Sequence, residues 1–338
     1  MIDLGALWSS MDADATGAGK GEVQRRLRGT PFDLFLTQER PSRRAGFFAR
    51  FDEKPGSLWR DLRSSQGLNI RVDARPGALA TLQLTEVDDR FHDIFEALVA
   101  DLFKGLEVLG SQPVETRVPA LDFLAGRVIR WQTCLKANSD GLSAEKRAGL
   151  FGELSVMAAL LEAGVNPHLC VDRWTGPAQA VQDFQFDPLT IEVKASRQTQ
   201  PTTVRISSER QLDTSTLERL LLVHVALDER SDGTGRTLPD KVAELRVAAG
   251  LQSDAGLLLD DRLIQYGYLD MHAPRYEGRS YAIRTIDHFD VKEPMARIVE
   301  ADLPVGIGDI SYGLALSACE DFRLDEGGVA ELFEGLRS

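Results

Sequence analysis

Three side chains near the middle of the sequence could share one ion. Asp183, Glu192 and Lys194 lie in the stretch Gln182-Asp183-Phe184-Gln185-Phe186-Asp187-Pro188-Leu189-Thr190-Ile191-Glu192-Val193-Lys194. Successive side chains of a strand alternate between its two faces. Phe184 and Phe186 share one face of a first strand, which turns Asp183 and Gln185 to the other. Ile191 and Val193 share one face of a second strand, which turns Thr190, Glu192 and Lys194 to the other. The connection Asp187-Pro188-Leu189 is short enough for a hairpin. Pairing the apolar faces then sets Asp183 beside Glu192 and Lys194. Such a pair of carboxylates suits a hard divalent cation. Mg²⁺ takes oxygen ligands, usually one or two carboxylates completed by water and substrate phosphate, and Mn²⁺ is the natural substitute. A lysine beside them can orient an attacking water and stabilise charge at phosphorus. For Glu192-x-Lys194 alone, a solvated strand face with an ordinary Glu–Lys pair is the better reading; Asp183 at matching parity brings the ion level with it.

Glu153 is the next candidate. Its helical neighbours at three and four residues are Gly149, Leu150, Val156 and Met157, with Leu160 at seven. Glu153 therefore falls on the apolar stripe of a helix, where a carboxylate is costly without a partner. A metal or Lys194 would supply one; a head group reaching solvent from the edge of the stripe is the alternative. Gly149 and Gly152 would let another backbone come close. Trp174 fits a packed core better than base stacking. His92, His168, His224, His272 and His288 show no ligand spacing. Cys134, Cys170 and Cys319 are far apart and odd in number, so they form neither a metal motif nor a disulfide framework. Gly17-Ala18-Gly19-Lys20 lacks the first glycine and the strand of a phosphate-binding loop, which argues against ATP binding.

The elements that must position these residues can be read from periodicity. Phe32–Thr37, Ala45–Asp52, Leu68–Val72 and Ala80–Thr85 alternate like strands, with turn-formers such as Lys54-Pro55-Gly56 and Arg75-Pro76-Gly77 between some of them. Asp88–Leu106 reads as a helix with Phe91, Ile94, Phe95, Leu98 and Leu102 on one face. A second helix spans Ala120–Ala137. A third begins at the N-cap Ser143, has Glu145 at its positive end, and stops at Gly164. Short strands are predicted at His168–Arg173, Asp183–Phe186, Thr190–Ala195, Thr203–Ser207 and Arg219–Ala226. Helices follow at Pro239–Ala249 and Ala255–Gln265. Strands and loops fill Tyr281–Ala318, and a last helix covers Glu326–Leu336. The turn-rich segment Gly110–Pro119 is the expected boundary between domains 1–115 and 116–338.

Charge and composition limit the partners. The 338 residues carry a formal charge of −13, which excludes a protein that coats nucleic acid by charge alone. The acid is uneven: 22 acidic and 12 basic residues lie between Ala226 and the end, against 30 and 27 before Ala226. Any nucleic-acid-facing surface should therefore lie in the first part, with Arg127, Arg130, Lys146, Arg147, Arg197, Arg205 and Arg210, which flank the candidate site in sequence, as the candidate phosphate contacts. No run of about 18 apolar residues occurs, so no membrane partner is expected. The first residues lack the apolar core of a secretory signal, and the cysteine usage fits a reducing cytoplasm.

The order Gly149-Leu150-Phe151-Gly152-Glu153-Leu154, Trp174-Thr175-Gly176-Pro177, Gln182-Asp183-Phe184, Ile191-Glu192-Val193-Lys194-Ala195-Ser196 and Ile206-Ser207-Ser208-Glu209-Arg210-Gln211-Leu212 resembles a bacterial family known as "PD-(D/E)xK motif protein". The likeness continues through Gly267-Tyr268 and Tyr281 to Tyr312-Gly313-Leu314 and covers most of the chain. It implies an α/β (α+β) fold: a restriction-endonuclease-like core with a central mixed sheet flanked by helices, behind a strand-rich N-terminal domain. It makes Asp183 the motif aspartate, Glu192 the second acidic ligand, Lys194 the catalytic lysine and Glu153 the acid on the preceding helix, with Asp183, Glu192 and Glu153 around the metal. Gln211 matches a polar residue placed near the phosphate or the lysine. Gln182 stands where the family name has proline, a change of shape rather than of chemistry. Members resemble components of restriction or phage-defence clusters, beside methyltransferases and ATPases. The implied activity is a Mg²⁺-dependent deoxyribonuclease, partnered by DNA and by such proteins, with a homodimer left open. A non-catalytic DNA-binding or scaffold subunit is the alternative, and RNA the alternative substrate.

Overall fold

The structure, a computed structural model, describes residues 3–13, 21–115, 117–137, 140–197, 202–251 and 253–337. Gly17-Ala18-Gly19-Lys20 lies outside the described residues. The chain divides into two compact units, Met1–Ala137 and Asn138–Ser338. Among the described residues, no helix is long and apolar enough to cross a membrane.

In unit 1, helix α1 (Leu4–Ala13) precedes strands β1 (Gly21–Leu27), β2 (Asp33–Arg40), β3 (Ala45–Phe51), β4 (Leu68–Asp73) and β5 (Ala80–Glu86). Every neighbour in the order β1-β2-β3-β5-β4 is antiparallel. Alternation decides which face is core: Leu34, Leu36, Phe47, Ala49, Leu82 and Leu84 are fully buried, while the residues between most of them are half-exposed or exposed. Two helices complete the unit, α2 (His92–Ser111) and α3 (Ala120–Ala137). In α2 the predicted stripe residues Phe95, Leu98 and Leu102 are buried, whereas Phe91 and Ile94 sit at its margin.

Helix α3 shifts the expected domain boundary. It packs on α2, on β5 and on the short turn Leu58–Asp61, and the buried Asp122 carboxylate accepts the backbone N–H groups of Gly56 and Leu58. The division therefore falls at 137/138 rather than at 115/116. The turn residues of Gly110–Pro119 connect two helices of one unit. Helix α1 and strand β1 carry no strong period and are additions to the expected elements.

Unit 2 contains α4 (Ala144–Glu162), α5 (Pro167–Asp172), β6 (Phe184–Gln185), β7 (Leu189–Ser196), β8 (Thr203–Ile206), β9 (Arg219–Arg230), β10 (Arg236–Thr237), α6 (Leu238–Ala249), α7 (Asp254–Tyr266), β11 (Ser280–Asp290), β12 (Tyr312–Ala315) and α8 (Glu326–Glu334). Its main sheet runs β10-β11-β9-β7-β6. The β7–β9 pair is parallel and the other pairs antiparallel, so the sheet is mixed and flanked by helices. Ile191, Val193, Leu221, Val223 and Val225 pack one face against α4. Leu220, Leu222 and Phe289 pack the other against Val204, Ile206 and Leu314 of the β8–β12 ribbon. Burying a side chain of this size stabilises by about 1.5–3 kcal/mol. The segment His168–Arg173, expected as a strand, is helix α5. Pro167 stands at its first turn and the Asn166 side chain accepts the N–H of Leu169, a start signal that overrides the local alternation.

Candidate functional site

The site begins with the β6–β7 hairpin. Phe184 pairs with Ile191 and Gln185 with Thr190. Phe184 and Ile191 are fully buried in the core beneath α4. Carrying the register back one residue sets Asp183 level with Glu192, on the opposite face, as strand parity requires. Asp183 is fixed at both ends. Its Oδ2 accepts the N–H of Val193 at 2.7 Å, and its carbonyl accepts those of Thr175 and Gly176 at 2.8 and 3.0 Å.

Glu192 is buried, and its Oε1 meets the Lys194 Nζ at 2.7 Å. Its Oε2 is buried without a partner. Lys194 also donates to Gln211 Oε1 at 3.0 Å, and that oxygen accepts the N–H of Ser207 at 2.8 Å. Gln211 is thus the tether that holds the lysine in place. Gln182 reinforces it: its Nε2 donates to the carbonyl of Arg210 at 3.1 Å, which ties the hairpin to the turn carrying Gln211. The residue in the family's proline position is therefore a strut.

Glu153 comes from α4, a helix capped by Ser143, whose hydroxyl accepts the N–H of Lys146 at 3.2 Å. A Cβ on Gly152 would lie 2.9 Å from that of Ala195, so glycine there lets α4 lie close on β7. The buried Glu153 carboxylate accepts from Trp174 Nε1 at 2.7 Å on Oε2 and from the Tyr266 hydroxyl at 3.1 Å on Oε1. A Cβ on Gly176 would stand 2.8 Å from Glu153 Oε2 and 2.9 Å from Asp183 Oδ1. Both oxygens therefore face one small space that glycine keeps open. Trp174, Tyr266 and Gln182 were not legible as site residues. The available signal was Glu153 itself, since a carboxylate in an apolar stripe needs donors from elsewhere.

Crowding makes these acids weak. Burial, then the charge of Asp183, pushes Glu192 up to about 8 against the pull of Lys194. Burial raises Asp183 to about 6, opposed by the Val193 N–H and by Lys194. Burial and the Asp183 charge raise Glu153 well above the usual carboxylate range. Three acids share one ammonium, and the cluster is short of positive charge. Among the described residues, no three His, Cys, Asp or Glu groups are spaced to hold a metal by themselves. A cation that keeps waters and takes phosphate needs only one or two carboxylates. The unpartnered Glu192 Oε2 and the Asp183 Oδ1 facing the Gly176 space are hard oxygen donors of that kind, and the residues present fit a divalent ion. Both Glu153 oxygens already accept hydrogen bonds, which places this acid behind the pair rather than level with it.

The expected phosphate contacts fare less well. Arg127 is fully buried in unit 1, paired with Asp101 at 2.6 Å, and cannot reach a phosphate. Arg130 is on the same helix. Arg197 pairs with Glu229 at 2.5 Å, Arg205 bonds Ser311 at 2.9 Å, and Arg210 lies between Glu209 and Glu300 at 3.8 and 3.6 Å. Arg147 covers the Tyr276 ring, and Lys146 lies in the first turn of α4. The three free cysteines are all buried.

No curated protein and no solved structure matches the chain. A family model described as "Putative PD-(D/E)XK family member" (DUF4420) matches residues 4–317. Enzymes of the PD-(D/E)XK class have a nuclease-like fold and generally use divalent metals. The match runs through both units, and the chain belongs to this PD-(D/E)XK family.

Proposed function

We propose that the chain is a divalent-metal-dependent deoxyribonuclease that hydrolyses DNA phosphodiester bonds within a restriction or phage-defence system. The observation that carries this is the buried, partnerless Oε2 of Glu192 beside Asp183, with Lys194 already bonded to the other oxygen. Asp183 and Glu192 would hold Mg²⁺ or Mn²⁺, with Glu153 behind them. When bound, the ion supplies Lewis-acid polarisation of the phosphate and a more acidic water. Lys194 has three donor protons. Glu192 and Gln211 engage two of them, which leaves the third for the attacking water or a phosphate oxygen. The ammonium then opposes the negative charge that grows on phosphate in the transition state. Trp174 and Tyr266 keep Glu153 fixed while this happens.

DNA capture draws on partners in this reading, because several arginines around the site are already paired with acids and unit 2 is strongly acidic. An ATPase or methyltransferase of the same cluster would supply the missing cationic surface. The test is cleavage of plasmid, linear and single-stranded DNA, and of RNA, with Mg²⁺ and Mn²⁺, alone and with the neighbouring proteins. Wild type should cut DNA, and Lys194→Ala and Asp183→Asn should not. If no nucleic acid is cut under any of these conditions, the chain is a scaffold that keeps the fold for assembly.

A further inference from the structure

Unit 1 turns the second face of its sheet away from its own core, and the register orders that face. Arg26 pairs with Phe35, Phe35 with Phe48, Phe48 with Gln83 and Gln83 with Arg71. These five residues form one row across all five strands. Arg26 and Arg71, at its ends, are exposed; Phe35, Phe48 and Gln83, in its middle, are half-buried. The two rings lie 6.1 Å apart with their planes tilted by 46°. In the next row Asp33 faces Arg50. Its carboxylate holds the guanidinium of Arg26 at 2.6 Å and that of Arg50 at 2.7 Å, so two exposed arginines are kept at the edge of the rings. Glu22, on the same face, accepts from Gln83 Nε2 at 3.4 Å.

Charge separates this unit from the rest. Residues 1–137 hold 19 basic and 19 acidic side chains, whereas residues 138–338 hold 20 and 33. All of the net negative charge lies in unit 2, and a polyanion meets no net repulsion at unit 1.

We infer that this row is a stacking platform for single-stranded nucleic acid. Bases lie on the faces of Phe35 and Phe48, the backbone runs past Arg71 and past the one net positive charge that Arg26 and Arg50 keep against the single Asp33 carboxylate, and the Gln83 amide meets base edges. Aromatic rings on an open sheet, bordered by arginine, bind single strands because every base has a π-face. A duplex keeps its bases stacked on one another and gives the rings nothing to hold. This surface is separate from the metal chemistry and needs no cleavage.

The experiment is fluorescence anisotropy of the full chain, in EDTA, with labelled oligothymidylate, oligouridylate and a DNA duplex. Both single strands are expected to bind more tightly than the duplex, and the better of the two names the sugar preferred. Arg71→Glu, at an exposed position, should weaken binding and flatten its salt dependence by about 0.7 in log–log slope for each phosphate no longer neutralised. Phe35→Leu and Phe48→Leu should each weaken binding about tenfold, and the loss should persist at high salt because stacking is not screened. Asp183→Asn should bind as wild type does, which separates this surface from the proposed nuclease site. Equal binding of duplex and single strand, or wild-type binding by Arg71→Glu, overturns the inference even if the protein cuts DNA. Conversion of a dimer to a monomer by Arg71→Glu in light scattering also overturns it, in favour of a second copy on this face.

Discussion

The indole of Trp174 donates its N–H to Glu153 Oε2 over 2.7 Å and lies stacked with Tyr266, which donates to Oε1 of the same carboxylate. One acid is thereby held from both sides by neutral donors. Trp174→Phe keeps a ring in place and deletes the donor, so a buried oxygen loses its partner. The expected cost is about 1–3 kcal/mol, read from urea unfolding in EDTA. Tyr266→Phe removes the second donor from a half-buried position and should cost less.

The weak acids of the site set a pH dependence. Asp183 at about 6 and Glu192 at about 8 lie above their ordinary values of 3.8 and 4.5, so the folded, metal-free protein binds more protons than the unfolded chain. Their contribution to stability is complete below those ordinary values and is lost as pH rises through about 8. Melting in EDTA should therefore show a fall from this cluster between mildly acidic and mildly alkaline pH. Glu192→Gln should flatten that fall. A cation must displace these protons to bind. Stabilisation by Mg²⁺ should therefore grow across the same range, and equal stabilisation at every pH would mean that the ion binds elsewhere.

Gln211 shares one oxygen between Lys194 and the Ser207 backbone. Gln211→Ala should lower kcat by roughly tenfold and leave KM nearly unchanged, since it frees the lysine without removing it. Gln211→Glu keeps an acceptor and should recover most of the loss. Lys194→Ala removes the cation itself and should cost on the order of a hundredfold or more. A steady-state comparison of the three variants on one substrate decides the matter.

Arg127 belongs to the architecture of unit 1. Its guanidinium forms two bonds with the Asp101 carboxylate, which also accepts from Trp131 Nε1 at 2.9 Å. Arg127→Met leaves that acid without its charge partner and should destabilise by about 3–5 kcal/mol. The salt dependence of DNA binding by the folded fraction should not change.

Strand parity around Phe184 and Ile191 was enough to bring Asp183, Glu192 and Lys194 to one place, because a buried apolar face leaves the other residues a single direction. Glu153 was legible for a related reason, as a charge on an apolar stripe. Long-range pairing was not: nothing local in Leu189–Ser196 or Arg219–Arg230 distinguishes a parallel neighbour from an antiparallel one. The His168–Arg173 alternation lost to a proline and an asparagine cap. Arg127 and the rest of its helix went to the wrong unit because a turn-rich segment resembles a boundary whether or not the chain packs across it. The donors to Glu153 come from two distant stretches of chain, and only the fold shows that Trp174 and Tyr266 meet.

Glu192 is 1 % exposed and Glu153 7 % exposed, whereas Asp183 and Lys194 are half-buried, so the two glutamates lie deeper than the other two side chains. In the proposed nuclease, ion capture would then have a rate as well as an affinity. An entering ion must shed part of its water shell on the way to Glu192, and Mg²⁺ dehydrates reluctantly. On that reading, protein stripped with a chelator should regain activity after a lag, shorter with Mn²⁺ than with Mg²⁺, and the depth of Glu192 behind Asp183 and Lys194 sets how long the site waits to fill.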